Sequence, residues 1–210
     1  MTVIEQIKES TMKGAVKKVQ ELVRAALEEK MNAADIISQG FIPAMEIVGD
    51  KFKKGEIFVP EMLVAARAMQ GGIKIIEPLF APGERQYIGK CIIGTVRSDL
   101  HDIGKNLVAM ILQGAGFEVI DIGIDVPAEK FVSAIQEHKP QIVGLCALLT
   151  TTLPEMGTAI QAIKTAGIRE QVKIVVGGAP VTQSFADSIG ADAYASDAGA
   201  AVEICKALLN

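Results

Sequence analysis

The stretch "YIGKCIIGTVRSDLHDIGKNLVAMILQGAGFEVIDIGI", residues 87–124, changes its hydrophobic period twice. "YIGKCIIGTV" (87–96) is a short apolar run, rich in isoleucine, of the kind that forms a strand covered on both faces. "IGKNLVAMILQGAG" (103–116) repeats its apolar residues at helical spacing and stops at glycines. "FEVIDIGI" (117–124) is strand-like again. Two strands separated by a helix of this length are joined by a parallel crossover, which is right-handed in nearly all proteins. The alternation continues to the end of the sequence. "AEKFVSAIQEH" (128–138) is helical, "QIVGLCALL" (141–149) a buried strand and "LPEMGTAIQAIKTAG" (153–167) helical. "VKIVVGGA" (172–179) is a strand, "SFADSIG" (184–190) a short helix, "DAYAS" (192–196) a short strand and "AGAAVEICKALL" (198–209) a closing helix. Short strands alternating with helices predict a five-stranded, parallel, doubly wound α/β sheet of flavodoxin-like order.

Upstream the period is helical throughout. "GAVKKVQELVRAALEEK" (14–30) sets Val16, Val19, Val23, Ala26 and Leu27 on one stripe with Lys and Glu opposite. Thr11 is the expected cap before it, and Asn32 the expected start of the next helix. Pro43 predicts a break or kink near Gly40–Pro43. Gly55 is placed to end that helix, and Pro60 to open another, "PEMLVAARAMQGGIKIIEPLF" (60–80). The expected organisation is an α-helical bundle of four-helix type over 1–80, a linker "APGERQ" at 81–86, and an α/β domain over 87–210.

Composition narrows the function classes. The 210 residues carry a net charge of -4, only 4% aromatics and no Trp. That disfavours nucleic-acid binding by counterion release or base stacking. No apolar run approaches the roughly 20 residues of a membrane span, and the first residues lack the order of a signal peptide. Cys91, Cys146 and Cys205 have neither metal-ligand spacing nor the look of a disulfide framework. The expectation is a soluble, cytoplasmic protein with no membrane or nucleic-acid partner.

In a doubly wound sheet, ligands bind beyond the carboxyl ends of the strands. "SDLHDIG" follows the first strand there, "LLTTT" the third and "GGAP" the fourth. An isolated Asp-x-His is most simply a capping or loop histidine. Here Asp99 is spaced to accept the Nδ1–H of His101, which fixes the tautomer and leaves Nε2 to bind a metal. Gly104 removes a side chain where a bulky ligand would meet the helix start. A protein-only metal site needs three or four ligands. The other histidine, His138 in "QEHKP", sits at a helix end facing water. One histidine suffices if a cofactor brings the remaining ligands, which points to a macrocycle.

The order D-x-H-x-x-G (99–104), a strand ending at the S-x-L position (146–148) and G-G (177–178) resembles the signature of the cobalamin-binding fold. "EIVGDKFKKGEIFVPEMLVAARAMQGGIKIIEPLF" (46–80) resembles the capping domain of cobalamin-dependent methionine synthase. Over nearly the whole chain the likeness is to small corrinoid proteins of anaerobic methyl-transfer systems, which serve methanol, methylamines, glycine betaine or aryl methyl ethers.

The resemblance implies a cobalamin or related corrinoid bound base-off, with His101 as the lower axial ligand of cobalt. Asp99 would accept the second ring N–H, and Thr152 would extend that relay. Gly104, Gly177 and Gly178 would line the channel for the nucleotide tail, with Thr150 bonding in it. Asp102, Ile103, Cys146 and Leu148 complete the implied cofactor-binding set. Two residues depart from the family pattern. Ser98 replaces a glycine, and Cys146 replaces a serine, a thiol being the weaker donor. Cobalt in its Co(I) state would take a methyl group and pass it to a tetrahydrofolate or thiol acceptor. The helical half would shelter the methyl group with Val59, Met62, Leu63 and Met69, which bundle-core packing explains equally well.

The implied role is a carrier, not an enzyme on its own. Its implied partners are a substrate:corrinoid methyltransferase, a methylcorrinoid:acceptor methyltransferase and a reductive activator. Three rivals stand beside it. A cobalamin-dependent sensor would carry a DNA-binding segment, and none is visible. A mutase subunit would not need the helical half. A receiver-like domain would need an acidic cluster that "SDLHDIG" does not supply.

Overall fold

The computed structural model describes residues 1–80 and 87–209; the expected linker at 81–86 lies outside the described residues. The chain divides into two compact units, one over Met1–Tyr87 with Gly114–Gly116, the other over Ile88–Gln113 and Phe117–Asn210.

The first unit is helical, and it begins earlier than expected. Helix α1 (Val3–Met12) opens with a capping box, in which Glu5 N–H donates to Thr2 Oγ1 and Thr2 N–H to Glu5 Oε2. Thr11 caps nothing. It is buried near the end of α1, its hydroxyl donating to the Ile7 carbonyl at 2.8 Å. Helix α2 (Val16–Glu28) instead starts at Ala15 without a side-chain cap. Its buried stripe is Val19, Leu22, Val23 and Ala26, while Val16 and Leu27 are half-buried.

Asn32 does cap the next segment, accepting from Ala34 N–H at 2.8 Å at the start of α3 (Ala33–Asp35). The chain continues through a π-helical turn, Ile36–Phe41, into α4 (Ile42–Lys53). The expected break at Pro43 is thus a widened turn. A proline ring collides with the carbonyl four residues back, and one extra residue per turn moves that carbonyl aside. Helix α4 ends as expected at Gly55, whose N–H bonds Phe52 O while Glu56 N–H bonds Lys51 O. Helix α5 (Val59–Ile76) has Pro60 in its first turn. It packs along α2, and α1 packs on α2 and α4. Ile7, Val19, Val23, Ile36, Phe41, Met62 and Met69 are buried.

The second unit is the expected α/β sheet. Strands β1 (Lys90–Thr95), β2 (Glu118–Asp121), β3 (Ile142–Cys146), β4 (Lys173–Gly177) and β5 (Ala193–Ala195) pair in the order β2-β1-β3-β4-β5, all parallel. Helices α6 (Ile103–Gly114), α7 (Ala128–His138), α8 (Leu153–Thr165), α9 (Gln183–Ile189) and α10 (Ala198–Ala207) supply the crossovers and close the chain. Phe131, Val143, Leu145, Ile160, Ile163, Ile174 and Val176 form the core, each contributing roughly 1.5–3 kcal/mol on burial.

Strand order reverses between β1 and β3, so the loops after these two strands open a crevice at the carboxyl edge. Thr95, Cys146 and Gly177 lie in one register row along that edge.

Candidate functional site

The site is assembled by the loops after β1 and β3. Asp99 has no solvent exposure, yet both of its carboxylate oxygens are hydrogen-bonded. Its Oδ1 lies 2.7 Å from Nδ1 of His101 and accepts the His101 backbone N–H at 3.1 Å. Its Oδ2 accepts from Leu148 N–H (2.7 Å), Leu149 N–H (3.3 Å) and the Thr152 hydroxyl (2.8 Å). Burial by itself raises the carboxyl's pKa. The bonds from Leu148, Thr152 and His101 outweigh it and hold the group well below the usual carboxylate range. Asp99 is therefore an anion throughout the physiological range, and an acceptor facing Nδ1 favours the tautomer with its hydrogen on that nitrogen.

Nε2 is left as a free electron-pair donor. No described protein group engages it, and the His101 side chain is 48% exposed. The two loops that meet at Asp99 also carry apolar side chains that water reaches: Ile103 (82% exposed), Leu100 (67%), Leu148 and Leu149. Large apolar residues grouped on a surface around one donor mark a binding face. At Gly104 a Cβ would meet nothing within 4 Å, so the glycine leaves open space beside this face.

Backbone bonds hold the Asp-x-His loop in place. Thr95 donates its hydroxyl to His101 O at 2.8 Å. Asp99 N–H closes a turn onto Val96 O, with Ser98 at φ +63° in its third position. That position favours glycine, which explains physically the glycine of the expected pattern; nothing in the structure explains why Ser98 replaces it.

The remaining expected residues have diverse places. Thr152 is buried, as the relay requires. Thr150 is exposed in the same loop. Asp102 accepts from Asn106 Nδ2 at 3.0 Å at the start of α6. Gly178, at φ +131°, answers to backbone packing: a Cβ there would sit 1.8 Å from Ala147 O. Gly177 accepts from Ala147 N–H. Cys146, at the end of β3, is half-buried and its thiol is pushed up to about 12, mainly by burial, so it stays protonated. Met62 and Met69 are buried and Leu63 is half-buried, whereas Val59 is exposed and so is its neighbour Phe58. His138 ends α7 beside Glu137, outside the site.

Sequence reasoning missed Lys105, Asp121 and Asp125. Lys105 is buried in the first turn of α6, its ammonium bonded to Asp121 and to Asn106 Oδ1. Its signal is a cation on the same helical stripe as the buried Ala109 and Leu112. Asp125 carries no local signal, because its partners lie across the loop after β1.

Comparison with known proteins agrees with this geometry. Residues 89–205 match a family described as B12 binding domain, and residues 3–77 match a second family of the same description. The chain is 46% identical over 193 residues to the trimethylamine corrinoid protein of Methanosarcina barkeri, covering 91% of this chain and 89% of that one. It is 42% identical over 213 residues to dimethylamine corrinoid protein 1 of Methanosarcina mazei, covering 100% and 99%. The crystal structure of the methanol:cobalamin methyltransferase complex MtaBC from Methanosarcina barkeri superposes with a TM-score of 0.91 at 29% identity, over 99% of this chain and 79% of that chain. An Asp-x-His site at a sheet edge, two matched B12 binding domains and full-length corrinoid relatives lead to one conclusion: the chain belongs to the family of corrinoid proteins.

Proposed function

We propose that this chain is a corrinoid methyl carrier, with His101 as the lower axial ligand of a base-off corrinoid. One observation carries the reading: the fully buried carboxylate of Asp99 holds Nδ1 at 2.7 Å and leaves Nε2 to face outward from an apolar surface. The residues present fit such a group. A planar macrocycle needs one nitrogen donor, apolar contact around it and space at its rim. These are offered by His101, by Leu100, Ile103, Leu148 and Leu149, and by Gly104.

A corrinoid held by these residues would supply the nucleophile for methyl transfer, while the protein binds and tunes it. His101 donates through Nε2, and Asp99 makes that nitrogen more basic by accepting the Nδ1 proton. Thr152 and the Leu148 N–H keep Asp99 ionised. The partners are a methyltransferase that supplies the methyl group, one that removes it, and a reductive activator. The chain itself is not a complete enzyme.

The test is methyl transfer by the full chain, reconstituted anaerobically with hydroxocobalamin and reduced, against a panel of partner methyltransferases and their donors. At least one donor and partner should methylate the wild-type protein at a rate that His101→Ala abolishes. Wild-type spectra and turnover in His101→Ala would overturn the reading.

A further inference from the structure

The loop between β2 and α7 is not part of the Asp-x-His motif, yet it holds that motif from outside. Asp125 Oδ1 accepts the Ser98 N–H at 2.7 Å, and the Asp125 N–H donates to Asp99 O at 3.0 Å. One residue thereby grips the chain on both sides of the Ser98–Asp99 peptide. Both gripping partners are in the left-handed region, Ser98 at φ +63° and Asp125 at φ +50°. Non-glycine residues held there are strained and persist only where their surroundings fix them.

The surroundings do so. Val126 N–H bonds Thr95 O, Thr95 N–H bonds Gly123 O, and Val96 and Val126 pair as an isolated parallel bridge. The other end of the loop is tied down by Asp121. Its Oδ1 accepts from Gly123 N–H, and its Oδ2 takes the buried Lys105 ammonium from α6. The loop is a rigid frame, fixed at its start to α6 and at its end to the loop that carries His101.

We infer that Asp125 is a positioning residue: its two bonds to the Ser98–Asp99 segment fix where the Asp99 carboxylate stands and so which way the His101 ring faces. The inference rests on the reading of His101 as axial ligand for its consequence in cofactor binding, but not for its effect on the ring. Beyond its own loop Asp99 receives its side-chain bonds from the loop after β3, whereas its backbone is held, among the described residues, by Asp125. Without that grip the carboxylate can follow the β3 loop and leave the imidazole behind.

Asp125→Gly, Asp125→Ser and Asp125→Asn in the full chain separate the possibilities. Glycine keeps the left-handed backbone and its N–H but loses the carboxylate. Serine is too short to span to Ser98 and serves if the glycine variant does not fold. Asparagine keeps an accepting oxygen and tolerates the left-handed region. The first readout is the tautomer of His101 in the cofactor-free protein, from nitrogen-15 correlation spectra of the ring. Wild type and Asp125→Asn should show one Nδ1–H tautomer, and Asp125→Gly or Asp125→Ser a mixture of both. The second is hydroxocobalamin titration, where the glycine or serine variant should bind about tenfold more weakly and the asparagine variant within about twofold of wild type. Folded Asp125→Gly or Asp125→Ser with an unchanged single Nδ1–H tautomer overturns the inference. A changed tautomer with unchanged hydroxocobalamin affinity and spectrum upholds the positioning of the ring and overturns the axial-ligand reading instead.

Discussion

Asp99 and His101 share one short hydrogen bond but have opposite exposures, the acid sealed and the base half open. That asymmetry makes the pair a donor aimed outward. Removing the ring removes the donor, while replacing the acid leaves a donor of the wrong tautomer and basicity. His101→Ala should therefore impair corrinoid binding and methyl transfer more than Asp99→Asn, and Asp99→Asn should cost about 10–100-fold in affinity or rate. Hydroxocobalamin titration and single-turnover methyl transfer measure both. Ser98 makes a separate prediction. A left-handed residue with a side chain is strained, so Ser98→Gly should raise the urea midpoint by the equivalent of about 0.5–1 kcal/mol and leave the site intact. Spacing predicts the Asp99–His101 pairing and the family resemblance implies the Thr152 contact, and the structure has both hydrogen bonds. Asp125 and Lys105 were not legible in the sequence, because their roles depend on loops that only the folded sheet brings side by side.

Elements were legible wherever the hydrophobic period was strong. The strands and helices of the sheet lie within a few residues of their expected bounds, because each alternates cleanly and ends in turn residues. Helix α1 lies outside the expected elements although Thr2 and Glu5 spell a capping box, because few of its residues are apolar and set a period. The Thr11 hydroxyl suits a cap by local pattern, whereas its burial and its bond to the Ile7 carbonyl come only with the fold.

Two glycines at the carboxyl edge separate structure from function. A Cβ at 178 would overlap Ala147 O, so Gly178→Ala should lower stability by about 3 kcal/mol or more. A Cβ at 104 meets open space and improves helix propensity, so Gly104→Leu should keep or raise stability yet weaken corrinoid binding at least about tenfold. Urea unfolding and hydroxocobalamin titration on the same two proteins check the contrast.

On the scale of the whole molecule, a helical unit and a sheet unit occur in one chain, and each matches its own B12 binding domain family. If the helical unit shelters the methyl group, it must give way when a partner methyltransferase arrives, since a sheltered methyl cannot meet an acceptor. An engineered crosslink between the units should then stop methyl transfer while corrinoid stays bound, and reduction of the crosslink should restore it. Full turnover of the crosslinked protein would remove this role. Of the apolar residues expected to form the shelter, Met62 and Met69 are buried, and the exposed start of α5 is Phe58 and Val59.

The most direct measurement is electron paramagnetic resonance of the Co(II) form. The full chain carrying nitrogen-15 histidine is reconstituted with natural-abundance cobalamin and reduced. Coordination by His101 predicts that each cobalt hyperfine line splits into a doublet, from one nitrogen-15 nucleus, and that His101→Ala loses it. A triplet from the cofactor's own nitrogen-14 base, unchanged by that substitution, would contradict the account.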